Sequence, residues 1–262
     1  MADDAPVIVK TLAQSFALIT GGTAGVGLAT ARQLLEAGVP KVTIVGRNAE
    51  RGAAAVAALS GLGEVHFVMG DAALPAEAQR IVSEALAAMG AIDILLNSTA
   101  PNALPDLLHR TDLAIIPEVL AQLALPPLLM TAAVLPYMRA QKSGVILNIA
   151  SDAAKSATPG EAVIGGGMAA IVMFSRTVAL EAKRDGIRVN ALTPSLISGT
   201  LTSERILKEG FSQKLFEKAG GMASLGIAEA DDIAALAVFL ASPAAAKLTG
   251  QAISVNGGIS AA

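Results

Sequence analysis

The chain of 262 residues contains no cysteine, no tryptophan, one tyrosine (Tyr137) and two histidines, His66 and His109. Without cysteine there are no disulfides, no thiolate nucleophile and no cysteine-zinc site, and two histidines are too few for a histidine-rich centre, so no metal is expected. Charge is also thin. Only 16% of the residues are Asp, Glu, Lys or Arg, the formal net charge is -3, and no Lys/Arg-rich run occurs. Such a surface does not neutralise phosphates, so nucleic acid is not expected as a partner. The first ten residues, MADDAPVIVK, are acidic and lack the basic start and apolar stretch of a secretory signal, which points to the cytoplasm.

Apolar residues make up 53% of the chain, and the mean hydropathy is +0.59. The segment from Val119 to Met138 runs twenty residues without a charge, long enough to cross a bilayer. Gln122, Thr131, Pro126, Pro127 and Pro136 interrupt it, and it reads as a buried helix at a subunit contact instead of a membrane span. Seven β-rich runs alternate with alanine-rich helical stretches: 16–20, 41–46, 64–70, 92–97, 144–150, 187–192 and 251–256. Several are apolar on successive residues, the pattern of strands covered on both faces, and spacers of ~15 residues or more suit crossover helices. These features predict an α/β, Rossmann-like, doubly wound fold with a seven-stranded parallel sheet in a single domain, 1–262. Residues 194–225 are the least regular and read as a lid or substrate loop.

Directly after the first run comes TGGTAGVG (20–27), leading into a helical stretch. Gly21, Gly25 and Gly27 in a strand-turn-helix place unpaired backbone N–H groups and the positive helix end where a pyrophosphate would lie. With these residues in place the sequence resembles the short-chain dehydrogenase/reductase family, whose turn reads TGxxxGxG. The resemblance covers nearly the whole chain. IDILLNSTA matches that family's LVNNAG segment, GVILNIAS its GxIVNISS strand, RVNALTPSLISGT its RVNxxxPGxxxT, and GQAISVNGG its GxxxxVDGG.

Dehydrogenases of that family carry an Asn–Ser–Tyr–Lys tetrad. A phenol with an unperturbed pKa near ~10 needs a neighbouring ammonium before it can act as acid or base near neutral pH. Carried over by position, the tetrad falls on Leu123, Ser151, Ile164 and Met168, so only the serine is retained. No shift of register recovers the pair, because the sole tyrosine lies in the well-matched LPYM segment. Ser151 reads as a remnant capping residue, and Lys155 as a solvated loop lysine. No functional catalytic residue is therefore expected.

For the cofactor, the resemblance implies an NAD(P) site formed by Gly21, Gly25, Gly27, Arg47, Asp71 and Asn97. Arg47 favours NADP, since it can accept a 2′-phosphate where no acid follows the second run. Thr99, Ala100 and Ser195 replace smaller or more pliant residues. The missing lysine removes hydrogen bonds worth roughly 1.5–3 kcal/mol apiece when charge-assisted, so the site reads as vestigial and no cofactor is expected to bind tightly. Three roles follow. The first is a non-catalytic subunit that pairs, as a heterotetramer, with an active homologue through the fourth and fifth helices, around 112–140 and 160–184, with Gly165, Gly166 and Gly167 permitting close approach. In this it resembles the inactive subunit of heteromeric dehydrogenases of aromatic acyl-CoA alcohols, as in anaerobic toluene (benzylsuccinate) degradation. The second is a dinucleotide-sensing regulatory protein, and the third an atypical oxidoreductase using other residues.

Overall fold

The structure, a computed structural model, describes residues 9–100, 102–206 and 210–261. The N-terminal segment read for a leader therefore lies, except for Val9 and Lys10, outside the described residues, as do 207–209 of the lid. Seven parallel strands form one sheet in the order β3-β2-β1-β4-β5-β6-β9. They are β1 (Phe16–Thr20), β2 (Lys41–Gly46), β3 (Glu64–Met69), β4 (Ile94–Asn97), β5 (Gly144–Ile149), β6 (Ile187–Leu192) and β9 (Ala252–Ile253). All seven sequence-based strands are present, although β4 and β9 are shorter than expected. A two-stranded ribbon of β7 (Ile197–Ser198) and β8 (Ala228–Glu229) had no counterpart in the sequence reading.

The continuous apolar runs are explained by the two faces of the sheet. Ala17, Ile19, Val42, Ile44, Ile94, Leu96, Val145 and Leu147 pack on one side. There they meet α1 (Gly25–Glu36), α2 (Ala49–Ala58) and α8 (Ala230–Ala241). The intervening Leu18, Val45, Leu95 and Ile146 pack on the other, against α3 (Pro75–Met89), α4 (Ile116–Ala140) and α5 (Ala162–Ala182). Alternate side chains thus feed two cores, as a sheet buried on both faces requires. Two short helices, α6 (Leu201–Ile206) and α7 (Gly210–Met222), complete the lid region.

Local signals set the boundaries. Asn48 caps α2 by accepting from Arg51 N at 2.8 Å, and α3 opens on Pro75 and stops at Gly90, whose φ is 86°. Arg188 on β6 reaches across to the end of α8 and donates to the carbonyls of Leu240, Ala241, Ser242 and Ala245 at 2.6–3.3 Å. It satisfies helix-end acceptors that would otherwise be orphaned.

Helices Leu113–Ala140 and Ala162–Asp185 are long and apolar enough to cross a membrane by length and composition. Each lays one face on the sheet: Met130, Val134 and Met138 of α4, and Val178, Ala179 and Ala182 of α5, enter the second core. Pro126, Pro127 and Pro136 do not end α4, contrary to their reading as interruptions; the helix continues through them. Pro126 and Pro127 are buried, so tertiary packing compensates for the two missing N–H donors.

Candidate active-site cleft

A cleft of about 670 Å³ opens along the C-terminal ends of the strands and is lined by residues from β1, β2, β5, α5 and the lid. This is where an open α/β sheet binds ligands, because the strand order reverses between β1 and β4. Its two ends differ in chemistry.

At the β1 end, Gly21 holds a φ of 66°, and a Cβ there would strike the backbone carbonyl of Ser98. A Cβ on Gly27 would strike the carbonyl of Gly21, so the turn packs directly on the first residues of α1. Gly25, with φ 50°, faces the Thr200 methyl at 3.6 Å from where its own Cβ would be, which brings the lid over the turn. Only glycine satisfies the approaches at 21 and 27, and at 25 the left-handed φ favours it. Arg47 and Asp71 line the mouth as an ion pair at 3.8 Å, joined by Arg51. Asp71 also accepts from Ala73 N at 3.0 Å, capping the turn it begins. Backbone donors and two guanidinium groups fit the phosphates and ribose end of a dinucleotide. Such a cofactor supplies hydride chemistry when bound.

At the α5 end, Ser151, Ile164 and Met168 line the cleft. Leu123 is 2% exposed and lies behind them in one apolar cluster with Met168, Ile171 and Ala150, against which Ile164 packs. The position of Leu123 depends on Gly167, since a Cβ on that glycine would lie 2.9 Å from Leu123 Cδ1. Neither Ile164 nor Met168 donates or accepts a proton, and Leu123 adds no polar group to them. The Ser151 hydroxyl accepts from Ala153 N at 3.2 Å and caps the 152–154 turn. A carboxyl on the face of Ile164 and Met168 also lines the cleft. Glu161, half-buried at the start of α5, is pushed up to about 7, first by burial and then by nearby Asp152, with a Thr158 hydrogen bond acting the other way.

Several residues stand elsewhere than expected. The Asn97 side chain does not line the cleft: it accepts from Thr20 Oγ1 at 3.1 Å and donates to Asn148 Oδ1 at 2.8 Å, and Asn148 donates to Ser175 Oγ at 2.8 Å. This buried chain ties β1, β4, β5 and α5 together, and its geometry commits the amide to the interior. Lys155 is not a solvated lysine. It donates to Ser254 Oγ at 2.7 Å, anchoring the segment after β9. Gly165 and Gly167 serve close approaches within the chain, to the Ala153 carbonyl and to Leu123, and only Gly166 is open. Arg51, Glu161 and Arg205 were missed. Glu161 lies three residues before Ile164, so helix spacing held a signal for it, whereas Arg47 precedes the cap of α2 and gave none for Arg51.

Residues 21–260 match the family described as enoyl-(acyl carrier protein) reductase. Human dehydrogenase/reductase SDR family member 4 is 31% identical over 248 residues, covering 94% of this chain and 88% of the human protein. The chain belongs to the short-chain dehydrogenase/reductase family. A further member, the 3-oxoacyl-[acyl-carrier-protein] reductase FabG of Chlamydia pneumoniae, is 32% identical across 95% of this chain and 98% of its own length. The crystal structure of levodione reductase superposes with a TM-score of 0.88 at 27% identity, covering 95% of this chain and 97% of that one. Among short-chain dehydrogenase/reductases, then, this chain carries Ile164 and Met168 on the α5 wall of the cleft beside Ser151 and Glu161.

Proposed function

We propose that this chain is a catalytically silent family member that acts as a subunit supporting an active homologous NAD(P)-dependent alcohol dehydrogenase. The observation that carries this reading is the apolar cluster of Leu123, Ile164 and Met168 where an acid, a base and an ammonium would have to stand. Leu123 and Met168 are buried and Ile164 packs on them, so these positions supply no phenol, amide or ammonium to relay a proton, and retention of the chain calls for a role other than turnover.

The outer faces of α4 and α5 support a partner. Leu120, Leu125 and Tyr137 on α4 and Met173 and Leu180 on α5 are exposed, the last two at 60% and 65%. Ala170 lies beside them, whereas Phe174 is half-buried and packs on the core within the chain, which makes Ala170 and Met173 the better probes. Soluble proteins seldom leave such faces bare. The likeness to the inactive subunit of aromatic acyl-CoA alcohol dehydrogenases makes the 2-[hydroxy(phenyl)methyl]succinyl-CoA dehydrogenase of anaerobic toluene degradation the first complex to try, in the cytoplasm. The test combines native mass spectrometry of endogenous protein with Ala170→Glu and Met173→Glu. The expected result is a hetero-oligomer that dissociates in the variants, with loss of the partner's activity. Homo-oligomers alone, or a partner fully active without this chain, would falsify the reading.

The intact phosphate turn with Arg47 and Arg51 favours a second reading, a dinucleotide sensor that binds NADP weakly because the nicotinamide end lacks its lysine. On either reading the cofactor site is vestigial.

A further inference from the structure

Glu161, Ile164 and Met168 all line the cleft, at i, i+3 and i+7, and so share one face of α5. Two of these groups are apolar and the third is a carboxyl with no Lys, Arg or His ion pair among the described residues. We propose that the α5 end of the cleft binds an apolar ligand carrying a protonated amine, with Glu161 as the counter-ion. This goes beyond the subunit reading and does not rest on it.

The charges facing Glu161 from neighbouring elements are few. Asp152, on the 152–154 turn, is already held by Ser254, Asn256 and Ser260. Lys155, from the same turn, is directed to Ser254. Glu204 and Arg205 of α6 line the cleft as well, and Arg205 donates to Asn102 Oδ1 at 3.1 Å. Among the described residues Glu161 has no ion-pair partner in the cleft, while at the β1 end two arginines, Arg47 and Arg51, stand against Asp71. A cation is attracted to the first and an anion to the second.

Acceptors are also available. Pro126 and Pro127 have no N–H to give to the carbonyls of Gln122 and Leu123 one turn earlier, and Gln122 and Pro126 are on the cleft wall. An ammonium brings three donors, enough for a carboxylate and a carbonyl together. Ala103, Pro105, Pro126, Ile164, Met168 and Phe216 supply apolar walls for the rest of the ligand. The N-terminus of α5 favours the ionised carboxylate, so the bound cation completes a pair that burial alone holds back.

The experiment is calorimetric titration of the full chain with 2-phenylethylamine and its neutral counterpart 2-phenylethanol at pH 6, 7 and 8. Since Glu161 titrates at about 7, its ionised fraction rises roughly tenfold over that interval, and amine affinity is expected to rise by about the same factor while alcohol affinity stays flat. Glu161→Gln should abolish the amine's advantage and its pH dependence without changing the circular dichroism or the binding of the alcohol; Glu161→Asp should retain part of both. Equal affinity for amine and alcohol, a pH-independent amine, or unchanged amine binding in Glu161→Gln overturns the proposal. So does an affinity that falls with rising pH, which would mark Glu161 as a neutral donor to a carbonyl. None of these outcomes bears on partner assembly, which mass spectrometry decides separately.

Discussion

At the β1 end of the cleft the backbone does the work, and Gly21 and Gly27 are fixed by neighbouring main-chain atoms; at the α5 end side chains do the work, and Ile164 and Met168 among them are apolar. The contrast shows which kind of site resists change. A Cβ on Gly21 or Gly27 collides with backbone that cannot move without shifting β1, β4 or α1, so the turn persists for the sake of the fold whatever it binds. Replacing a tyrosine or lysine by an aliphatic side chain in a half-buried cleft meets no such barrier, and removes the cost of desolvating an ammonium. An intact phosphate turn is for that reason weak testimony to cofactor use, whereas the side chains on the α5 face can change without disturbing the fold.

The contrast is broken most severely by Gly21→Ala. The left-handed φ and the Ser98 carbonyl together should cost about 3 kcal/mol or more, read as a fall in the urea midpoint at constant m-value. A neutral result would mean that the turn is pliant and that its glycines are kept for binding. Next comes the pair Ile164→Tyr with Met168→Lys, which places an ammonium beside buried Leu123 and is expected to destabilise by about 2 kcal/mol. Its kcat with ketones and NADPH should remain below about 1 s⁻¹, because Leu123, Thr99 and Ser195 still shape the site. Full activity on restoring those two groups would show that the nicotinamide end is sound.

A smaller effect separates the two ends by ligand. The isolated chain should bind NADP with a dissociation constant weaker than about 1 μM, equivalent to roughly -8.2 kcal/mol. Arg47→Ala or Arg51→Ala should weaken NADP about tenfold and leave NAD unaffected, as fluorescence titration can establish, since only NADP presents a 2′-phosphate. The smallest effect is protonic. Glu161 binds its proton more tightly in the folded chain, where it titrates at about 7, than its ordinary value of 4.5 allows. Its contribution to stability is present at low pH and is lost as pH rises from about 4.5 to 7. Glu161→Gln should remove that part of the pH dependence of Tm; an unchanged profile would place the carboxyl in free solvent.

Legibility differed by feature in the same way. Strands β1, β2 and β6 were found to the residue because apolar runs and turn residues are local signals, whereas β4 starts only at Ile94 and β9 is confined to Ala252–Ile253, where it pairs with β6. The absence of a YxxxK pair was legible for a simpler reason: the chain has one tyrosine, and it lies in α4. Glu161 escaped notice because no motif marks it, although helical spacing from Ile164 was there to be used.

The sequence by itself determined the parallel α/β sheet, the glycine turn and the absence of a phenol-ammonium pair, because periodicity, backbone freedom and composition act over a few residues. Only the tertiary structure decided where polar side chains point. Asn97 is drawn inward by Thr20 and Asn148, 77 and 51 residues away in the chain, and Lys155 is drawn to Ser254, 99 residues on. It alone decided, too, that Gly167 makes room for Leu123 within the chain and that Glu161 shares the cleft with Ser151. Partners of that kind are set by which segments the fold brings together, and the desolvation that raises the Glu161 carboxyl exists only once those segments have closed around it.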